Sequence, residues 1–232
     1  VAHGPTRQAL VPRPLMGPME GGKLCRLEEL TRMGSDVQDT LITVLSEKMM
    51  PIPELNDSVY AVRGFNIIAT ANNRDKGVNE LSSALKRRFN VVVLPLPDDM
   101  EQEIAIVTKR VGEMAQNLDL PAPKNVAEEV ARVVAVFREL RGGATLDGKI
   151  TLKTPSGTLS TAEAIAVMIG GLSQAAFFNG GKLSAEGVAP NMIGAIVKDP
   201  VQDKVVLEEY LETVLKKRPE YADYYHMLTD LV

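Results

Sequence analysis

The sequence predicts an α/β domain built on a parallel sheet, followed by a mostly helical subdomain that carries a small hairpin. Three observations carry that prediction. Two apolar runs, GFNIIATA from Gly64 to Ala71 and NVVVLPL from Asn90 to Leu96, have the continuous hydrophobicity of buried strands, and helix-patterned segments alternate with them. A shorter apolar run, KLCRLEEL from Lys23 to Leu30, enters two adjacent carboxylates. Beyond Pro121 and Pro123 the pattern changes to amphipathic helices, which places a boundary near Leu118 to Lys124 and divides the chain into residues 1–120 and 121–232.

The elements follow in order. The first twenty-odd residues are rich in Pro and Gly and read as loop with at most a short helix. Asp36 to Lys48 is helical by spacing, with Val37, Leu41, Val44 and Leu45 on one face and Ser35 or Asp36 available as a cap. Pro51 and Pro53 break the chain, and Ser58 to Arg63 forms a strand of a hairpin. Val78 to Arg88 and Met100 to Gln116 are helices on either side of the NVVVLPL strand. Asn125 to Arg141 places Val126, Val130, Val133, Val134, Phe137 and Leu140 on one side of a helix. Turn dipeptides at Asp147-Gly148 and Ser156-Gly157 mark a small hairpin. Ser160 and Glu163 stand in capping-box register ahead of a helix to Phe178, and two or three helices follow, the longest within Val201 to Lys217.

Composition narrows the function classes. The 232 residues are 45% hydrophobic and 24% charged, the balance of a soluble globular protein with room for one large or two modest domains. Aromatics make up 4% and Trp is absent, so the core is aliphatic. No apolar run reaches the roughly 20 residues of a membrane-spanning helix, and no secretory signal is visible. The single Cys25 excludes an internal disulfide, which fits a cytoplasmic location. A net charge of −4 argues against a broad nucleic-acid surface, and one Cys with two His argues against a zinc site. The first residue is Val rather than Met, so the sequence reads as a fragment.

Three places hold residues able to do chemistry. Glu28 and Glu29 end a strand-like segment, and open parallel sheets bind ligands beyond the carboxyl ends of their strands. One acid there can hold a metal while its neighbour polarises a water; two solvated glutamates at a strand end is the plainer alternative. Asn72 leaves the second apolar run at the same edge, where its amide can hold a water or a phosphate oxygen, or simply make a turn. Arg87 and Arg88 end a helix, where cations also sit for dipole reasons alone.

Taken together and in order, these segments resemble the AAA+ ATPases of the MoxR-like and dynein-related branch. PLMGPMEGGKLCRLEELTRMGSDVQDTLITVLSEK, Pro14 to Lys48, resembles the branch's Walker B region. GFNIIATANN resembles its sensor-1 strand, LSSALKRRF its arginine-finger helix, and NVVVLPLPDDMEQEIAIV its last sheet strand and the following helix. The likeness covers Pro14 to Val111, and the helical remainder fits a lid subdomain. The resemblance implies a P-loop NTPase-type core, ATP and Mg²⁺ as cofactors, a homo-oligomeric ring, usually of six subunits, and a protein substrate or a von Willebrand A-domain-type partner. It implies that Glu29 activates the attacking water, Glu28 supports Mg²⁺ in a position that usually holds Asp, and Asn72 positions the water. Arg88 reaches a neighbouring subunit's nucleotide, with Arg87 as the alternative one residue away.

Two departures stand out. No G-x-x-x-x-G-K-[ST] phosphate loop occurs in the chain, and Thr154 to Gly181, where the family's lid often carries a sensor-2 arginine, contains no Lys or Arg. In the family the phosphate-loop strand lies between the sensor-1 strand and the last strand. The expectation is therefore a core incomplete at its N-terminal side, belonging to the C-terminal portion of a longer ATPase, whose two apolar strands flank a gap. A non-hydrolysing scaffold or regulatory subunit is the competing expectation.

Overall fold

The chain divides into two compact units between Val93 and Leu94. The structure, a computed structural model, describes residues 6, 7, 10–12, 14–72, 79, 81–121, 123 and 125–232. In the first unit, helix α1 (Met16–Gly21) leads into strand β1 (Leu24–Leu27) and helix α2 (Ser35–Glu47). Strands β2 (Met49–Ile52), β3 (Asp57–Tyr60) and β4 (Asn66–Ala69) follow, then the single-turn helix α3 (Ser83–Lys86). β1 and β4 pair in parallel, with Leu24 opposite Asn66 and Leu27 opposite Ala69. β2 and β3 form the expected antiparallel hairpin.

Alternation along β1 and β4 decides which face is buried. Cys25 and Ile67 point into a core with Met16, Met19, Val44, Val59 and Phe65. Leu24 and Ile68, one position away, lie on the other face and are about half exposed. The end of α1 meets the turn before β4 so closely that each needs a glycine. A Cβ on Gly22 would lie 2.5 Å from the Arg63 carbonyl oxygen, and one on Gly64 would lie 2.6 Å from the Gly22 oxygen. Both glycines also have positive φ, 60° and 104°.

Several expectations change here. Asn90 to Leu96 form no strand, and Val91 to Leu94 are 66–87% exposed. Their apolar character favours a strand, but a strand needs a ladder partner, and none is present among the described residues. In keeping with the expected incomplete core, the described residues do not close into one fully paired sheet; they make two separate two-stranded ones. Pro51 lies inside β2 instead of breaking the chain, which a two-stranded hairpin tolerates because each of its strands is an edge. Gly34, not Ser35 or Asp36, is the N-cap of α2, and no side chain caps it. The helix expected over Val78 to Arg88 is ordered as helix only at Ser83–Lys86; Val78 and Glu80 lie outside the described residues.

The second unit is helical: α4 (Met100–Asn117), α5 (Val126–Gly142), α6 (Thr161–Phe177), α7 (Ala185–Ile196), α8 (Gln202–Thr213) and α9 (Ala222–Leu231). Asp99 caps α4, and the Ser160–Glu163 capping box opens α6 as its sequence foretells. The hairpin after α5 reduces to one bridge between Ala144 and Thr151 around the Asp147-Gly148 turn. Val107, Val111 and Ala115 of α4 share a core with Val133, Phe137 and Leu140 of α5 and Met168 and Leu172 of α6. This packing explains why the compact units divide before α4, whereas the composition change falls after it.

Candidate functional site

The parallel register builds the site. Leu27 lies opposite Ala69, so Glu28 and Glu29 leave β1 at the same edge where Thr70, Ala71 and Asn72 leave β4. Backbone bonds carry the pairing past the strands. Thr70 N donates to the Leu27 carbonyl at 2.9 Å, and Leu30 N donates to the Thr70 carbonyl at 2.9 Å. Glu29 between them adopts the left-handed conformation, φ 55° and ψ 45°, and its N–H donates to Thr70 Oγ1 at 3.4 Å. The chain then enters a 3₁₀ turn, Leu30–Arg32, anchored by the buried Leu30.

Each acid has its own arginine. Arg26 pairs with Glu28, and Arg32 Nε meets Glu29 Oε2 at 3.1 Å. With Glu28 and Glu29 58% and 53% exposed, these are surface pairs worth at most about 1 kcal/mol, and both carboxylates stay accessible. Asn72 is exposed at the same edge.

Arg87 and Arg88 are placed by α3. Ser82 Oγ caps this turn by accepting from Leu85 N at 3.2 Å, and Leu85 packs in a small core with Leu30 and Leu41. The buried Gln38 on α2 braces the same turn, accepting from Ser82 N at 3.4 Å. Arg88 Nη1 donates to the Ala84 carbonyl at 2.7 Å, and its Nε donates to Ser46 Oγ. Arg87 Nε donates to the Ser83 carbonyl at 3.3 Å. Ser46 lies near the C-terminal end of α2, eleven residues past Ser35, or about 16 Å along the helix axis. Glu29 precedes the other end of that helix. The register thus brings Glu28, Glu29 and Asn72 to one sheet edge, whereas Arg88 is held at Ser46 near the far end of α2 and Arg87 against its own helical turn.

Among the described residues no three His, Cys, Asp or Glu side chains cluster as a metal cage. Mg²⁺ held together with a nucleotide takes only one or two protein carboxylates, and Glu28 with Glu29 fits that smaller donor set. Two open clefts of about 650 and 550 Å³ occur in the helical unit, and none of the candidate residues lines either one.

The chain holds two near matches to a phosphate loop: Gly17 to Lys23 followed by Leu24, which the structure makes into helix α1 running into strand β1, and Gly143 to Lys149 followed by Ile150. The second is no better placed. Its surroundings exclude that role. The segment is a turn closed on itself, with Thr145 Oγ1 donating to Asp147 Oδ1 at 2.6 Å and Lys149 paired to Asp147, and extended chain rather than a helix follows it.

At the start of α6 the cations come from elsewhere in the sequence. Glu103, 1% exposed, accepts from Arg138 Nη1 at 2.8 Å, Arg141 Nη2 at 2.9 Å and Thr161 Oγ1 at 3.1 Å. Arg138 also binds the Pro97 and Asp98 carbonyls, and Arg141 the Leu159 carbonyl. Burial opposes the charged form of Glu103, but the bonds from Arg141 and Arg138 hold its carboxyl below the ordinary glutamate range. A search of Thr154 to Gly181 misses these arginines because they stand on α5. Thr70 and Arg32 were missed for a related reason: neither is unusual by type, and only the cross-strand register brings them to Glu29.

Residues 2–89 match the family model of the AAA domain, dynein-related subfamily, and residues 101–231 match that of the YehL-like AAA+ ATPase C-terminal domain. The chain is 38% identical over 233 residues to YehL of Escherichia coli (strain K12); the match covers 97% of this chain but 63% of YehL, so the chain spans less than two thirds of that relative. A crystal structure of NtrX from Brucella abortus in complex with ADP aligns with a TM-score of 0.44 at 14% identity, covering 88% of this chain and 44% of that one. The chain belongs to the AAA+ ATPases: a dynein-related AAA segment joined to a YehL-like C-terminal domain.

Proposed function

We propose that the natural protein binds and hydrolyses ATP with Mg²⁺ in an oligomeric ring of six subunits, and uses the hydrolysis to remodel or activate a protein partner in the cytoplasm, a von Willebrand A-domain protein being one such partner. The observation that supports this most is the sheet edge where Glu28, Glu29 and Asn72 leave adjacent parallel strands together. In this reading Glu29 accepts a proton from the attacking water, Asn72 orients that water, and Glu28 holds the metal. Mg²⁺, when bound with the nucleotide, supplies charge neutralisation at the phosphate oxygens. In this reading the phosphate loop comes from outside these 232 residues, whose sequence holds no complete phosphate-loop motif.

The separation of Arg88 from Glu29 along α2 supports a role between subunits. An arginine held, as Arg88 is, beside Ser46 near the far end of α2 can serve the next subunit's nucleotide, and such a group contributes about 10³–10⁵ in rate. Placing it in trans makes hydrolysis depend on assembly. A second reading, a subunit that keeps the fold without hydrolysing, is favoured by the lid: both arginines at the start of α6 are committed to Glu103.

The test is ATP turnover by the natural full-length protein and its Glu29→Gln variant. The hydrolytic reading expects a loss of at least about a hundredfold with nucleotide still bound, because an amide cannot take the water's proton. Wild-type protein that assembles but shows no turnover supports the scaffold.

A further inference from the structure

We infer that Thr70 is a positioning residue for Glu29, fixing through its hydroxyl the backbone turn that aims this carboxylate. The inference rests on the reading of Glu29 as the residue that activates water. It starts from an unusual backbone: Glu29 is a non-glycine residue in the left-handed region, φ 55°, between two residues tied to β4. Such a conformation persists only where its surroundings hold it, and strained residues of this kind gather at functional sites.

Three bonds tie the turn to the exit of β4, and all three end on Thr70. Its N–H reaches Leu27, its carbonyl receives Leu30, and its Oγ1 receives Glu29 N at 3.4 Å. The first two are main-chain bonds that any residue at position 70 can make. The third belongs to the side chain, and a β-branched residue holds its hydroxyl in few rotamers. The bond therefore links the chemistry of one residue type to the geometry of the residue most exposed to the chemistry.

The consequence is visible in the carboxylates. Glu28 stays with the strand and pairs with Arg26, while the turn carries Glu29 onward to Arg32, so adjacent acids acquire separate surroundings. Thr70 also stands two residues before Asn72 on the same strand exit.

The experiment compares Thr70→Val, Thr70→Ala and Thr70→Ser in the natural full-length protein. Amide hydrogen exchange in the absence of nucleotide is the first readout: Val and Ala lower protection at the Glu29 amide and leave the Leu30 amide as in wild type. Equal loss at both amides means a general opening of the edge and overturns the inference, as does unchanged protection at Glu29. Turnover is the second readout: kcat falls about ten- to a hundredfold, as expected for a displaced catalytic group, while the Kd for ATP stays within about twofold, and Ser restores both amide protection and rate. Normal kcat in Val and Ala alongside an inactive Glu29→Gln variant overturns the role of Thr70 and leaves that of Glu29 standing. A fully active Glu29→Gln variant instead removes the reading on which this inference rests.

Discussion

On the proposed reading, individual residues at the sheet edge divide into those that act on the nucleotide and those that set the first group in place. Glu29, Glu28 and Asn72 form the first group, and Thr70 and Arg32 the second. Arg32 holds the Glu29 carboxylate only by a surface pair, so Arg32→Ala changes stability by less than about 1 kcal/mol, measured by urea unfolding. Glu103 behaves oppositely, because it is buried with two arginines and a threonine around it. Glu103→Gln leaves Arg138 and Arg141 partly unpaired and lowers stability by about 3–5 kcal/mol, readable in the same unfolding experiment. A loss below about 1 kcal/mol contradicts the account of that cluster. The acids at the sheet edge could be named from sequence because they are consecutive, charged and placed after an apolar run. Thr70 could not, since a threonine in a strand exit has no distinguishing sequence signal, and its contact to Glu29 spans 41 positions.

Elements set where those residues point. The strand-forming runs of β1 and β4, the cap of α6, and helices α4, α5 and α8 were legible because their patterns are local. The Asn90 to Leu96 segment was not, since an apolar run states a preference while pairing depends on a neighbour that no local pattern supplies. Proline was over-read in β2 for a similar reason: its missing N–H matters only where a partner needs that donor. Helix α3 is short and depends on tertiary anchoring, above all by the fully buried Leu85. Leu85→Ala therefore costs about 2–5 kcal/mol and loosens the turn that bears Arg87 and Arg88. The expected outcome is a lower melting temperature together with reduced turnover, whereas Arg88→Ala lowers turnover at unchanged melting temperature. Equal thermal stability of wild type and Leu85→Ala contradicts this anchoring.

Across the whole molecule, the two compact units rest on different physics. The first has small aliphatic cores beneath one face of its parallel pair, and the second has an extended helical core threaded by buried carboxylates. Glu103 and Asp203 both have folded-state pKa values held below their ordinary 4.5 and 3.8; burial opposes this, and bonds from arginines in one case and from the Asp199 and Ser156 amides in the other outweigh it. A depressed carboxylate contributes stability that is present above its unfolded value and lost as pH falls through its folded value. Melting followed by circular dichroism is therefore expected to be flat from pH 7 to about 5 and to fall steeply below about 4. The central claim is that Glu29 serves its own subunit's nucleotide and Arg88 the neighbour's. It is tested most directly by mixing Glu29→Gln and Arg88→Ala forms of the full-length protein, each inactive alone. With random assortment into rings, an equal mixture recovers about a quarter of wild-type ATP turnover, because about one interface in four joins an intact Glu29 to an intact Arg88. No recovery at any ratio, with mixed assembly verified, contradicts the claim.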